Sequence, residues 1–213
     1  MKFYIEITLT PKNDFIFSKL WSQLFTQIHL GLVENQNNLK QFTIGISFPE
    51  YKFKNNYGFL GNKCRLFCEN RSILEQFSIE QKLIRLNEYV HYSEITSVPQ
   101  KLLGYAIYRR EQTKTNPERL ARRYAKRHNL DFEVAFNSVI KPQKLDENNN
   151  QYSRNFRYSE MEPRLINFPF IQLFSLSGKK NFTLRISKTV ASNFVPGEFN
   201  SYGLSSTSTV PEF

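Results

Sequence analysis

The sequence predicts an α+β fold: an N-terminal ferredoxin-like βαββαβ domain, then a C-terminal α+β domain with an arginine-rich helix and a β-hairpin. Three observations predict it. Over the first 95 residues the apolar period switches between two and three-to-four in the order strand, helix, strand, strand, helix, strand, a split β-α-β pattern. A cationic segment with a well-marked helix start follows. Two alternating apolar runs then flank a turn at Gly178, which is a hairpin signal.

Residues 2–10, KFYIEITLT, put Phe3, Ile5, Ile7 and Leu9 on one face and Tyr4, Glu6, Thr8 and Thr10 on the other, as a half-buried strand does. Pro11, Asn13 and Asp14 end it. Phe17, Leu20, Trp21, Leu24, Phe25, Ile28 and Leu32 recur at spacings of three and four, which predicts an amphipathic helix over about 15–34. ENQNNLK, 34–40, is a polar turn. In QFTIGISF, Phe42, Ile44, Ile46 and Phe48 alternate as a second strand. Residues 49–62, with Pro49, Gly58, Gly61 and three Asn, are expected as a loop. CRLFCE, 64–69, is a short strand, and 71–79 a short helix through Ile73, Leu74, Phe77 and Ile79. EYVHYSEI, 88–95, closes this half.

The second half differs in character. Residues 104–128 are densely basic, and DFEVAFNSVIK, 131–141, is a short helix opened by Asp131. Residues 143–163 are poor in apolar side chains and centre on DENNNQ, which reads as a surface insertion. FIQLFSL, 170–176, and FTLRIS, 182–187, are the hairpin strands, joined through Gly178, Lys179 and Lys180. The expected domains are 1–100 and 101–213, the second holding a basic linker and helix (105–128), the insertion and the hairpin. No repeat of 20–50 residues is present.

Apolar residues make up 40% of the 213 and aromatics 15%, enough for a real core, which excludes wholesale disorder. The stretch Leu20–Val33 lacks charged residues but is too short to span a bilayer. Glu6 interrupts the N-terminal apolar segment, which argues against a secretory signal. Two Cys do not make a disulfide framework. A soluble, cytoplasmic protein is expected, with no membrane partner. Its 29 Lys and Arg against 19 Asp and Glu give a net charge of +10, which favours a polyanionic partner such as nucleic acid.

The charge is concentrated. YRREQTKTNPERLARRYAKRH, 108–128, carries Arg109, Arg110, Lys114, Arg119, Arg122, Arg123, Lys126 and Arg127 against Glu111 and Glu118, a surplus of six within 21 residues. Thr115-x-x-Glu118 fits a capping box, and Asn116-Pro117 offers an N-cap before Pro at the first helical position. From there Arg119, Arg122, Arg123, Lys126 and Arg127 share one stripe, while Leu120, Tyr124 and His128, with Ala121 and Ala125 beside them, line another. Five cations on one stripe without interleaved acids repel one another. A phosphate backbone would offset that repulsion through counterion release. Whether the nucleic acid is DNA or RNA, duplex or single-stranded, stays open at this point.

Catalytic motifs are few. Cys64 and Cys68 are four apart with no neighbouring His, so two reduced core thiols are the expectation and no metal site or cofactor is predicted. G-x-x-x-x-G-K-[ST], G-x-G-x-x-G and G-x-S-x-G are absent. One metal-free chemistry remains. RNA brings its own nucleophile, the 2′-OH, so a protein needs only a group that moves protons and donors that hold the geometry. The His residues are His29, His91 and His128. His29 lies at the edge of the first helix's apolar stripe, where a lone His is most often a packed structural residue. His128 ends the basic helix, where the helix dipole favours a cation.

Four segments in order resemble one family, the CRISPR-associated endoribonucleases that process precursor CRISPR RNA in type I-F systems. They are FYIEITLTP with LFTQIHLGLV; IGISFPEY; RREQTKTNPERLARRYAKRH; and PFIQLFSLSGKKNFTLRI with SYGLSSTSTVPEF. The resemblance implies metal-independent cleavage at the base of a repeat hairpin. The upstream 2′-OH attacks and leaves a 2′,3′-cyclic phosphate and a 5′-OH. His29 matches the catalytic His, Ser175 the serine that holds the attacking hydroxyl, and Tyr202 the tyrosine that orients the His. Arg110 and Gln112 match residues that read base pairs at the foot of the stem. Phe182 matches an aromatic that stacks on the terminal pair. Arg119, Arg122, Arg123, Lys126, Arg127 and His128 would lie in the major groove of the hairpin.

The family further implies a protein that is a monomer when alone, stays bound to the mature crRNA and joins other subunits of a type I-F surveillance complex. Lys126 departs from the family, standing where an Arg is common, and 143–163 looks longer than in other members. The alternative is a non-catalytic subunit of a surveillance or transposon-associated complex that only holds the crRNA hairpin. A duplex-DNA binder using the basic helix is the third class.

Overall fold

Residues 1–11, 17–36, 41–55, 57–111, 116–139, 157–161, 167–175 and 178–213 are described by a computed structural model. The chain groups into two units, Met1–Glu111 with Asn167–Phe213, and Gln112–Ile166.

The first unit opens as its alternation requires. Strand β1 (Phe3–Leu9) buries Ile5, Ile7 and Leu9, and helix α1 (Phe17–Glu34) buries Leu20, Trp21, Leu24, Phe25, Ile28 and Leu32. Then follow β2 (Gly45–Ser47), β3 (Lys52–Lys54), β4 (Tyr57–Phe59) and β5 (Lys63–Cys68). Helix α2 (Arg71–Phe77) ends at Ser78, whose left-handed backbone (φ 52°) starts α3 (Ile79–Leu83) in a new direction. A 3-10 turn (Ile84–Leu86), β6 (Val90–Tyr92) and β7 (Thr96–Ser97) complete this half.

The sheet order is β2-β5-β1-β6, with β7 also on β1 and every pair antiparallel. That is the order a βαββαβ chain gives when each helical crossover skips one strand, and it fits a ferredoxin-like arrangement. The expected loop 49–62 differs from the structure: it contains the β3–β4 hairpin. Three-residue strands are too short to show a period. Asn55 (φ 52°) turns the chain, and Phe53 stacks on Phe168 at 4.8 Å.

A second sheet, order β11-β8-β10-β9, joins β8 (Gly104–Glu111), β9 (Phe170–Ser175), β10 (Lys180–Ala191) and β11 (Val210–Glu212). The hairpin is as expected, though β10 is longer. Residues 105–111 are not the start of a basic linker but part of an inner strand. Ala106 and Tyr108 point into the core, a short alternation that the flanking charges obscure. The hairpin and tail group with the N-terminal residues rather than with the basic helix. The reason is a shared core: Ile171, Leu184, Ile186, Leu204 and Val210 pack in one cluster with Ile5, Leu24 and Phe48.

Helix α1 packs against β9, and Trp21 and Phe25 meet Phe48 with ring centroids 5.6 and 6.0 Å apart. The Trp21 indole donates to the Gly61 carbonyl at 3.0 Å, so its one polar atom is satisfied in the core. On the first sheet, Glu6 bridges Lys63 and Arg65 at 2.8 Å each.

The second unit is built on α4 (Pro117–His128). Asn116 caps it by accepting from the Arg119 amide at 2.9 Å, Pro117 occupies the first turn, and Asn129 (φ 52°) ends it. Thr115, the other capping candidate, lies outside the described residues. Asp131 caps α5 (Phe132–Asn137) through the Glu133 amide at 2.8 Å, as its position predicts. Of the expected insertion only 157–161 is described. There Tyr158 is buried and meets the Tyr124 ring edge-on at 6.0 Å. Among the described residues no helix is long and apolar enough to cross a membrane.

Candidate functional site

The inner face of the second sheet is apolar where it meets the core and turns polar at one end. The same alternation that buries Tyr108, Leu184, Ile186, Ile171 and Leu173 places Arg110, Phe182 and Ser175 farther along the same face. Helix α1 brings His29 to this end, half-buried beside the buried Ile28.

His29 Nδ1 lies 2.6 Å from the Ser201 carbonyl oxygen. A carbonyl oxygen only accepts, so Nδ1 carries a proton. In the neutral ring, Nε2 then holds the lone pair. The next residue fixes the plane: the Tyr202 ring stacks on the imidazole at 4.4 Å and 15°. Both contacts come from one turn. Asn200 Oδ1 accepts from the amides of Tyr202 (2.8 Å) and Leu204 (3.3 Å), and the Gly203 carbonyl accepts from Ile46 of β2 at 2.8 Å. Gly203 has φ +68°, and a Cβ there would sit 2.5 Å from the Ile46 side chain. Sequence reasoning missed Asn200, the Ser201 carbonyl and Gly203 as parts of the site. The Tyr-Gly pair after an Asn was the available turn signal.

Phe182 meets Tyr202 edge-on at 6.2 Å, and the Arg110 guanidinium lies 5.6 Å from the Phe182 ring and 5.5 Å from the Tyr202 ring. Arg110 Nε is buried with no hydrogen-bond partner among the described residues. Ser175 Oγ accepts from the Gly178 amide at 3.1 Å. His29, Ser175, Phe182 and Tyr202 all line one cleft of about 240 Å³, together with Thr26 and Phe174. An imidazole whose Nε2 is free among the described residues, a hydroxyl and two aromatic rings in one cleft, with a guanidinium against those rings, are suited to proton transfer beside a stacked base. Gln112 lies outside the described residues.

In the second unit, Arg119, Arg122, Arg123, Lys126, Arg127 and His128 are all exposed on α4, while Pro117, Ala121 and Ala125 are buried. The ion pair of Arg122 with Glu118 (3.3 Å, i,i+4) is exposed and worth roughly 0.3–0.5 kcal/mol. Arg122 also lies over the Phe132 ring at 5.4 Å, and His128 packs on Tyr124 at 4.2 Å.

Cys64 and Cys68 are free and buried on β5. Burial pushes the Cys64 thiol well above its ordinary pKa, with Glu6 adding to the shift, so it is an inert core thiol. Among the described residues no group of three or more His, Cys, Asp or Glu is placed to hold a metal ion.

A family model described as CRISPR-associated protein (Cas_Csy4) matches residues 4–213. A CRISPR-associated endonuclease Cas6/Csy4 of Escherichia coli (strain UTI89 / UPEC) is 30% identical over 216 residues, covering 100% of both chains. Its counterpart in Pseudomonas aeruginosa (strain UCBPP-PA14) is 29% identical over 217 residues, again covering 100% of both. Among solved structures, a CRISPR associated protein Cas6 aligns over 99% of this chain and 98% of its own at 11% identity, with a TM-score of only 0.36.

Proposed function

The chain belongs to the Cas_Csy4 family of CRISPR-associated proteins, and from that premise we propose that it is a metal-independent endoribonuclease that cuts precursor CRISPR RNA at the base of the repeat hairpin. The observation that carries this reading is the His29 cleft, where a tautomer-fixed imidazole shares one small space with Ser175, Tyr202 and Phe182.

In the proposed reaction Ser175 Oγ holds the 2′-OH of the nucleotide upstream of the cut. His29 Nε2 takes its proton, the 2′ oxygen forms a bond to phosphorus, and the bond from phosphorus to the 5′ oxygen breaks. The departing 5′ oxygen takes a proton from the imidazolium or from solvent. The products are a 2′,3′-cyclic phosphate and a 5′-OH. Tyr202 acts through the ring it stacks on and is a positioning residue.

Phe182 stacks on the last base pair of the stem, and Arg110, whose buried Nε has no partner among the described residues, reads an acceptor near the foot of the stem together with Gln112. The stripe Arg119, Arg122, Arg123, Lys126 and Arg127, with His128, binds the phosphates of the stem. The major groove of A-form RNA is deep and narrow. A short stem with an open end admits a helix there. The protein remains on the mature crRNA in the cytoplasm and joins further subunits of a type I-F complex.

The test is His29→Ala assayed for both cleavage and binding of the repeat hairpin. Loss of cleavage with hairpin affinity unchanged is expected. Cleavage at the wild-type rate would remove His29 from the chemistry. A wild type that binds the hairpin and never cuts it would make the chain a holding subunit.

A further inference from the structure

The His29 cleft adjoins a second hollow. Phe182 and Tyr202 line the cleft, with the Arg110 guanidinium 5.6 and 5.5 Å from their rings. Thr26, Leu173 and Phe174 line both the cleft and a second, larger hollow of about 580 Å³ that runs back along α1. The two hollows therefore lie side by side, with these three residues common to both. Ser22, Gln23 and Gln27 of α1 form one wall of the second hollow, and Gln172 and Asn181 of the second sheet another. Lys19 and Arg85 line it as well, and none of its described lining residues is acidic. Lys19 stands ten residues before His29, about 15 Å along the helix axis.

The reaction gives the two hollows different occupants. Attacking and leaving oxygens lie in line at phosphorus. A stem stacked on Phe182 puts the attacking nucleotide in the cleft. The leaving nucleotide then departs past Thr26 and Phe174, which the two hollows share. There the adjoining hollow offers what a single strand uses. Phe174 is 53% exposed and presents a ring face for a base. The side-chain amides supply donors and acceptors suited to sugar and base edges, and Arg85 supplies a cation suited to phosphate.

We propose that this second hollow along α1, lined by Gln23, Gln27, Phe174, Asn181 and Arg85, binds the single-stranded RNA downstream of the scissile phosphate. The inference rests on the hairpin-endoribonuclease reading and adds the path of the strand released with the 5′-OH. The groove positions that strand before the cut and lets it go afterwards.

The test uses a hairpin made uncleavable by a single 2′-deoxy upstream of the cut. It is prepared in two forms, one ending at the first downstream nucleotide and one carrying a longer single-stranded downstream flank. Wild type is expected to bind the flanked RNA more tightly. The variant carrying Arg85→Glu and Gln23→Ala is expected to lose about threefold or more on the flanked RNA and nothing on the short one. A 4-thiouridine placed in the flank should crosslink to peptides of α1 or β9.

Equal weakening on both RNAs overturns the groove, since it would reflect charge in general. A flank that adds no affinity overturns it too, and if the variant then fails to assemble with other subunits the groove belongs to a protein segment. Wild type that binds neither RNA overturns the hairpin reading itself and this path with it.

Discussion

His29 sits at the edge of an apolar helical stripe, and a single turn of the chain decides what its ring can do. The Ser201 carbonyl fixes the tautomer and the Tyr202 ring fixes the plane. If stacking is the contribution of Tyr202, Tyr202→Phe should cleave at close to the wild-type rate. Tyr202→Ala should lose about 10- to 100-fold in single-turnover cleavage with hairpin affinity retained. A loss of similar size in both variants would assign the role to the hydroxyl instead. Gly203→Ala should also slow cleavage, because the left-handed backbone and the approach to Ile46 leave no place for a Cβ. A cleavage rate like wild type would show that the turn tolerates displacement. At this scale the sequence is only partly legible. The position of His29 on its helix follows from periodicity. Ser175 and Tyr202 stand out through family resemblance alone, since a strand serine and a loop tyrosine carry no local signal. The Ser201 carbonyl is a backbone atom, and no residue type announces it.

The elements separate into those whose period is visible and those masked by charge or brevity. Helix α4 follows its sequence closely: the cations are exposed, the alanines are buried, and Asn116 caps it. Asn116→Ala should therefore cost about 1 kcal/mol in thermal or denaturant unfolding. An unchanged midpoint would mean that the cap is replaced. Strand β8 was hidden because Arg109 and Arg110 make its second half look like a linker. Register makes the difference: Arg110 pairs with Ile186 and so shares the inner face with Tyr108. The β3–β4 hairpin was hidden by its length.

On the first sheet, burial tends to raise the Glu6 pKa, but Lys63 and Arg65 outweigh it and hold the carboxyl below its ordinary value. A depressed folded-state pKa contributes stability that is present above the unfolded value and lost as pH falls through the folded value. The stability gap between wild type and Glu6→Gln should thus narrow on acidification from neutral to below about pH 4. A gap that is constant across that range would rule out a charge contribution from Glu6.

At the scale of the whole molecule, the chain groups into two compact units that its sequence interleaves. The C-terminal strands complete the core that α1 and the first sheet begin, so the linear boundary near residue 100 does not mark where the fold divides. Pairing between distant segments has no local signature, whereas the concentration of charge does. With a net charge of +10 and a surplus of six between Tyr108 and His128, hairpin affinity is expected to fall steeply with salt. Arg122→Ala and Arg123→Ala should each weaken hairpin binding and lower the log–log salt slope by about 1. An unaltered slope would take those side chains off the phosphates.

Metal-free attack by the 2′-OH is tested by a cleavage assay in EDTA on the repeat hairpin, run beside the same RNA carrying one 2′-deoxy upstream of the cut. The all-RNA hairpin is expected to be cut to a cyclic phosphate while the deoxy RNA is bound and left whole. Cleavage of the deoxy RNA, or no cleavage of either until a divalent metal is added, would contradict it.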